Sequence, residues 1–237
     1  FVFENVYGLT KFKNGEENIQ NHIENRFRDI GYTVKSKILY ASDFGVPQRR
    51  NRLFIVGNRN GIDFEFPKEF DYSVSVDEAI SDLPVLGNGE IQMKGEYTVP
   101  FEQASPYAQL MRKKSKAPTQ NIVSRNKDYV VERYKYIGQG ENWSSIPDRL
   151  MENYADKKRC HSGIYKRLIG GKPSVVISNY RKSMLIHPHQ DRGLSVREAA
   201  RLQSFPDHFI FEGPVSYVQQ QIGNAVPPLL AKAVMKK

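Results

Sequence analysis

Hydrophobic and polar positions divide the chain into three blocks of different rhythm. The first, residues 1–67, opens on the short apolar run Phe1–Val6, which predicts a buried strand. Ile19, His22, Ile23, Phe27 and Ile30 then recur every three or four positions, so a helix is expected over about Glu16–Ile30, with Gly31 just past its end as the stop. Tyr32–Tyr40 reads as a strand, Ala41–Asn51 as a polar loop and Leu53–Gly57 as a short buried strand. This order of strand, helix, strand, loop and strand is that of half a doubly wound α/β sheet.

Residues 68–190 lose that rhythm. Gly, Pro, Tyr, Lys and Asn are frequent, with a short helix expected at Val76–Leu83 and short strands at Pro173–Ser178 and Met184–Ile186. Basic and aromatic residues interleave, as in Lys127, Tyr129, Arg133, Tyr134, Lys135 and Tyr136. We read this block as a separate small domain of irregular α+β structure whose core includes Trp143, Tyr134 and Tyr136. Strong signals return in residues 191–237. Ser195-Val196-Arg197-Glu198 is a capping box, in which Ser195 accepts from the N3 amide and Glu198 reaches back. Its helix should run to about Ser204 and stop at Pro206. A tight turn is expected at Gly223-Asn224-Ala225-Val226-Pro227-Pro228, then a terminal helix Pro228–Met235, since proline is tolerated in a first helical turn.

Composition adds limits. With 39% hydrophobic residues the chain can bury a core, and no apolar stretch approaches the ~20 residues that span a bilayer. The N-terminus has neither a basic n-region nor a cleavage site, so no signal peptide and no membrane partner are expected. A chain that opens without Met on a core strand leads us to expect further residues upstream. One cysteine, Cys160, allows no internal disulfide and no four-ligand zinc site, which suits a reducing cytoplasm. His187 and His189 lack a third ligand and read as structural; no metal is expected. A formal charge of +9 fits either a polyanionic partner or a solvated basic surface.

Four segments, in order, carry a resemblance: Phe3-Glu4-Asn5-Val6; Gln48-Arg49-Arg50-Asn51-Arg52; the stretch from Leu194 to Asp207 containing Arg197-Glu198 and Arg201-Leu202-Gln203-Ser204-Phe205-Pro206; and Gln221-Ile222-Gly223-Asn224-Ala225-Val226-Pro227. Together they resemble the DNA cytosine-5 methyltransferase family, from its Glu-Asn-Val motif onward. The resemblance implies an incomplete Rossmann-like, S-adenosylmethionine-dependent methyltransferase sheet plus the small target-recognition domain. Residues 1–67 would be the C-terminal half of the catalytic domain, 68–190 the DNA-reading domain, and 191–237 a return to the catalytic domain. It further implies methyl transfer from S-adenosylmethionine to C5 of a cytosine flipped out of duplex DNA, in a bacterial, cytoplasmic restriction-modification system.

By the same resemblance Glu4 is the acid that hydrogen-bonds the cytosine ring, Arg52 holds the cytosine edge and Arg50 its neighbourhood, while Gly223, Asn224 and Ala225 lie beside the cofactor. Gln48, Arg125, Asn126, Arg133, Asn179 and Arg181 are candidates for contact with DNA, and Arg197 for bracing the reading domain. The family's nucleophile is a cysteine directly after a proline. Cys160 stands between Arg159 and His161, and the glycine-rich loop expected to hold most of the cofactor is not in this sequence. The chain alone is therefore expected to be inactive and to need a missing N-terminal catalytic segment or subunit. A tRNA cytosine-5 methyltransferase and a non-catalytic DNA-binding module remain alternatives.

Overall fold

The computed structural model describes residues 1–152, 162–178, 180 and 184–236. Its main sheet has three strands, β1 (Val2–Val6), β2 (Thr33–Tyr40) and β3 (Asn51–Asn58), in the order β1-β3-β2. Helix α1 (Ile19–Asp29) joins β1 to β2, and Gly31 follows it at φ 89°, the left-handed geometry expected of the stop. The expected half of a doubly wound sheet needs one correction. β1 and β2 point the same way, as a strand–helix–strand unit requires, but β3 inserts between them antiparallel to both. Being central, β3 is covered on both faces, which explains its unbroken run Leu53-Phe54-Ile55-Val56. Leu53 and Ile55 face α1 through Ile23 and Phe27, whereas Phe54 and Leu39 face the terminal helix through Leu230 and Val234.

In the middle block, α2 (Val76–Ile80) ends three residues earlier than expected. A two-stranded ladder pairs β4 (Ile91–Lys94) with β5 (Thr119–Ile122), and two helices that weak periodicity concealed are present, α3 (Pro106–Arg112) and α4 (Asp128–Tyr134). The strands expected at Pro173–Ser178 and Met184–Ile186 are not formed. Ser174 and Ile186 make only isolated bridges, Ser174 to Gln48 and Ile186 to Arg167 and Gly193. Tyr134 is buried with Ile137 and Tyr165, and Trp143 packs against that cluster, but Tyr136 is exposed and is not core.

The last block contains α5 (Val196–Leu202), α6 (Val215–Asn224) and α7 (Pro228–Met235). Both halves of the Ser195/Glu198 capping box form. The largest apolar cluster runs across all of this: Val76, Ile80, Tyr107 and Leu168 pack with Ala199, Leu202, Val218 and Ile222. Below it lies an ionic core. Arg201 is 0% exposed and reaches Asp207 at 2.6 and 2.7 Å and Asp82 at 2.9 and 3.2 Å, and Tyr97 donates to Asp207 at 2.6 Å. Burial opposes the Arg201 charge, but Asp207 and Asp82 together hold its pKa above the ordinary arginine value.

Candidate active site

Glu4 and Arg52 meet on the α7 face of the sheet. In the β1/β3 register Glu4 lies opposite Phe54 and Val6 opposite Arg52, so Glu4 and Arg52 are diagonal neighbours on one face. Arg52 Nε lies 2.9 Å from Glu4 Oε1, and Nη1 donates to the Asn51 carbonyl at 2.7 Å. An arginine beside a carboxylate ordinarily lowers its pKa. Here burial outweighs both Arg52 and Arg50, and the Glu4 carboxyl is raised above the usual value. A half-buried acid whose pKa is raised by burial is suited to donating a proton or a hydrogen bond, and the adjoining guanidinium can hold a carbonyl edge.

Arg50 connects this pair to the turn near the C-terminus. It is 2% exposed; Nη1 donates to Ile177 O at 2.9 Å and Nη2 to Gly223 O at 2.8 Å. Burial, then the like charge of Arg52, lowers its pKa to about 10, with Glu4 acting in the opposite sense. Both terminal nitrogens of Arg50 are engaged on backbone carbonyls, which ties the start of β3 to Ile177 and to the end of α6. Gly223 and Asn224 are not a helix-entry turn: they close α6, and Ala225 leaves the helix in an extended conformation while its amide donates to Gln221 O. Gly223 leaves no room for a side chain. A Cβ there would lie 2.1 Å from Ser178 O, so the close contact is with the chain itself. Asn224 is exposed and Ala225 partly so, beside this contact. The structure thus gathers Glu4, Arg52, Arg50 and the 223–225 turn into one locality.

The other expected residues divide. Gln48 is corrected from a DNA contact to a buried joint: it is 0% exposed, donates to Leu202 O at 3.2 Å and to Gln203 Oε1, and accepts from Ile177 N at 3.0 Å. Arg133 is corrected likewise. It is 3% exposed, with Nε donating to Leu150 O at 2.7 Å and Nη1 to Tyr165 Oη at 2.9 Å, so it holds the middle block together from within. Arg125 is exposed, and the partly exposed Asn126 beside it is clamped by Asn88, which accepts from its amide and donates to its carbonyl. Asn179, Arg181 and Cys160 lie outside the described residues. Arg197 is fully buried, donating to Thr119 O, Thr119 Oγ1, Pro206 O and Phe209 O, which pins β5 to the segment after α5. Among the described residues no cluster of three potential metal ligands occurs.

Sequence reasoning missed Gln203 and Arg201 as organising residues. Both are 0% exposed, and a helical stretch rich in Ala, Leu and Arg gives no sign of which polar side chains turn inward. An apolar cavity of about 510 Å³, lined by Phe44, Phe70, Tyr72, Tyr107 and Leu110, is not at this site; none of Glu4, Arg50, Arg52 or Asn224 borders it.

Comparison with known structures defines the class of fold. The chain is similar to a DNA modification methyltransferase encoded within an Escherichia coli prophage, with a TM-score of 0.69 at 24% identity, over 100% of this chain and 67% of that one. It is also similar in fold to the Entamoeba histolytica methyltransferase EhMeth, with a TM-score of 0.52 at 12% identity, over 99% of this chain and 60% of that one. Sequence comparison is more specific. The profile of the C-5 cytosine-specific DNA methylases matches residues 1–237, and the chain belongs to that family. Similar relatives include the type II methyltransferase M1.HphI of Haemophilus parahaemolyticus, 35% identical over 99% of this chain and 55% of the relative. M.DdeI of Desulfomicrobium norvegicum is 33% identical over 100% of this chain and 62% of the relative. The chain therefore spans little more than half the length of the curated relatives it matches.

Proposed function

We propose that residues 1–237 form the C-terminal part of a type II DNA cytosine-5 methyltransferase, which methylates C5 of a cytosine held out of the duplex. The observation that carries the proposal is the Glu4–Arg52 pair, tied through Arg50 to the carbonyl of Gly223. Attack of a nucleophile on C6 of cytosine drives electron density into the ring. Glu4, with its raised pKa, hydrogen-bonds or protonates the ring nitrogen N3 and so stabilises that density. Arg52 keeps Glu4 aimed and presents its guanidinium to the ring's carbonyl edge. Arg50 holds the sheet end against the turn.

S-adenosylmethionine would supply the methyl group. Asn224 suits its amino-acid end: an exposed amide that both donates and accepts, on a backbone fixed by bonds to Ile222 O, Gly223 O and Ala225 O. Most of the cofactor site and the nucleophilic cysteine are assigned to the remainder of the enzyme, since Cys160 follows an arginine and not the proline of the family's motif. Residues 1–67 and 191–237 form the catalytic part, and residues 68–190 read the DNA. Within the reading part the exposed Arg125 and the partly exposed Asn126 are candidates for contact, while Asn179 and Arg181 are retained from the sequence alone. The excess of cationic residues supplies attraction to the phosphates.

The test is transfer of tritiated methyl from S-adenosylmethionine to a panel of duplexes and to tRNA. The full-length protein is expected to label cytosine in duplex DNA, and residues 1–237 alone to label nothing. Turnover by the isolated chain, or labelling of tRNA in place of duplex, would overturn the proposal.

A further inference from the structure

We propose that Gln203 is a positioning residue for the cofactor-side turn: it fixes residues 222–225 against the Gln48–Arg50 loop, so that cofactor affinity depends on it more than the chemical step does. The inference rests on the reading of Asn224 given above and adds a residue to it.

Gln203 follows α5 directly and is 0% exposed. Its Nε2 donates to Ile222 O at 2.9 Å and to Ala225 O at 2.8 Å, and its Oε1 accepts from Gln48 Nε2. A primary amide has two N–H donors, and both are used on the turn. The opposite orientation would set the Gln203 oxygen against two carbonyls, so the network itself fixes which end faces the turn. Carbonyls at the end of a helix lack partners within it, and buried ones must find them elsewhere. At the end of α6 they are supplied from outside the helix: Gln203 takes Ile222 and Ala225, and Arg50 takes Gly223. The turn is thus held from the inside at three of four consecutive carbonyls, while Asn224 stays exposed on the outside.

The same network reaches the end of the middle block. Gln48 Oε1 accepts from Ile177 N at 3.0 Å, and Ile177 O accepts from Arg50 at 2.9 Å. Ser178 O sits where any side chain at Gly223 would have to be. Ile177, Gln48, Gln203 and Ala225 therefore form one continuous hydrogen-bonded path, and the seating of the middle block on α6 is coupled to the conformation of the turn.

The experiment uses the full-length protein. Calorimetric affinity for S-adenosylmethionine and kcat at saturating cofactor are measured for wild type, Gln203→Met, Gln203→Glu and the control Leu168→Ala, which creates a cavity in the main core but removes no hydrogen bond of this network. Gln203→Met keeps the volume and removes the hydrogen bonds. It is expected to weaken cofactor binding about 10-fold with kcat changed less than about 3-fold, and Gln203→Glu to be at least as weak, because a carboxylate cannot donate to two carbonyls. Leu168→Ala is expected to lower Tm and leave cofactor affinity within about 2-fold of wild type. Equal affinity in Gln203→Met and wild type, or an equal loss in Leu168→Ala, would overturn the proposal. On the unaltered protein, cofactor should slow hydrogen exchange at the Ile177 amide as well as at residues 222–225; protection confined to the turn would also overturn it. Absence of any cofactor binding by the wild type would instead refute the reading of Asn224 on which the proposal stands.

Discussion

Replacing Arg201 by methionine is expected to be the most damaging single change in the chain, and its cost can be worked from the geometry. The Arg201 side chain is 0% exposed, and the carboxylates it bridges are 2% exposed at Asp82 and 0% at Asp207. Methionine fills most of the space but leaves two buried carboxylates without their common counter-charge, and the Ala79 carbonyl without its donor. Asp82 retains Arg112 at 3.5 Å, and Asp207 retains the Tyr97 hydroxyl at 2.6 Å, so neither is stripped completely. Breaking a buried ion pair by removing one partner costs about 3–5 kcal/mol. The upper half of that range is expected here, because one removal exposes two charges. Arg201→Lys should recover little, since a single ammonium cannot reproduce the forked contacts to both carboxylates. In the triple variant Arg201→Met/Asp82→Asn/Asp207→Asn both buried carboxylates are neutralised, while Arg112 keeps the Val99 carbonyl and the Tyr97 ring, and the cost should fall below that of the single variant. Denaturant unfolding of the full-length protein, followed by tryptophan fluorescence, provides the assay; the chain's one tryptophan, Trp143, lies within the middle block. A single-variant cost under about 1 kcal/mol, or a triple variant no more stable than the single, would refute the reasoning.

Three further outcomes are expected. Stability should fall on acidification below pH 6.5: burial holds the His187 imidazole down to about 4 from its ordinary 6.5, so its contribution is complete above 6.5 and is lost as pH falls toward 4. Burial alone would raise Glu198, but Arg192, bonded at 2.7 and 2.9 Å, brings it down to about 2, so its contribution is complete above 4.5 and is lost as pH falls toward 2. Tm against pH should show both phases, and His187→Gln should flatten only the upper one. Gly223→Ala should destabilise the protein by more than about 2 kcal/mol, because the added methyl group meets the Ser178 carbonyl; unchanged Tm would show that the contact yields. Arg125→Ala should weaken duplex binding and reduce the slope of log K against log salt by about 1, as loss of one phosphate contact requires; an unchanged slope would remove Arg125 from the interface.

Local pattern made the outer blocks legible. The spacing of Ile19, Ile23 and Phe27, the capping box at Ser195 and the proline opening Pro228–Met235 each state a backbone preference within a few residues, and the elements form where those preferences lie. The antiparallel insertion of β3 was not legible, because strand direction is decided by long-range pairing and not by the residues of the strand. In the middle block, α3 and α4 are seven residues each, too short for a period to declare itself among Pro, Tyr and Lys. At the site, sequence placed Glu4, Arg52 and the 223–225 turn in common company. It did not separate Arg52, which bonds Glu4, from Arg50, which is more deeply buried and bonds Ile177 O and Gly223 O. Gln48 and Arg133 were misplaced for the same reason: a polar side chain reads as exposed until the backbone groups that receive it are known, and these two are consumed by Gln203, Leu202 O, Leu150 O and Tyr165.

The account's central claim is that Glu4, steered by Arg52 beside the 223–225 turn, acts on the cytosine ring. The most direct measurement is kcat of Glu4→Gln in the full-length protein, set beside its affinity for the same duplex. Glutamine keeps the shape and loses the transferable proton, so kcat should fall by about 100-fold or more, with duplex affinity within about 3-fold of wild type. A Glu4→Gln enzyme that turns over at the wild-type rate would contradict the claim.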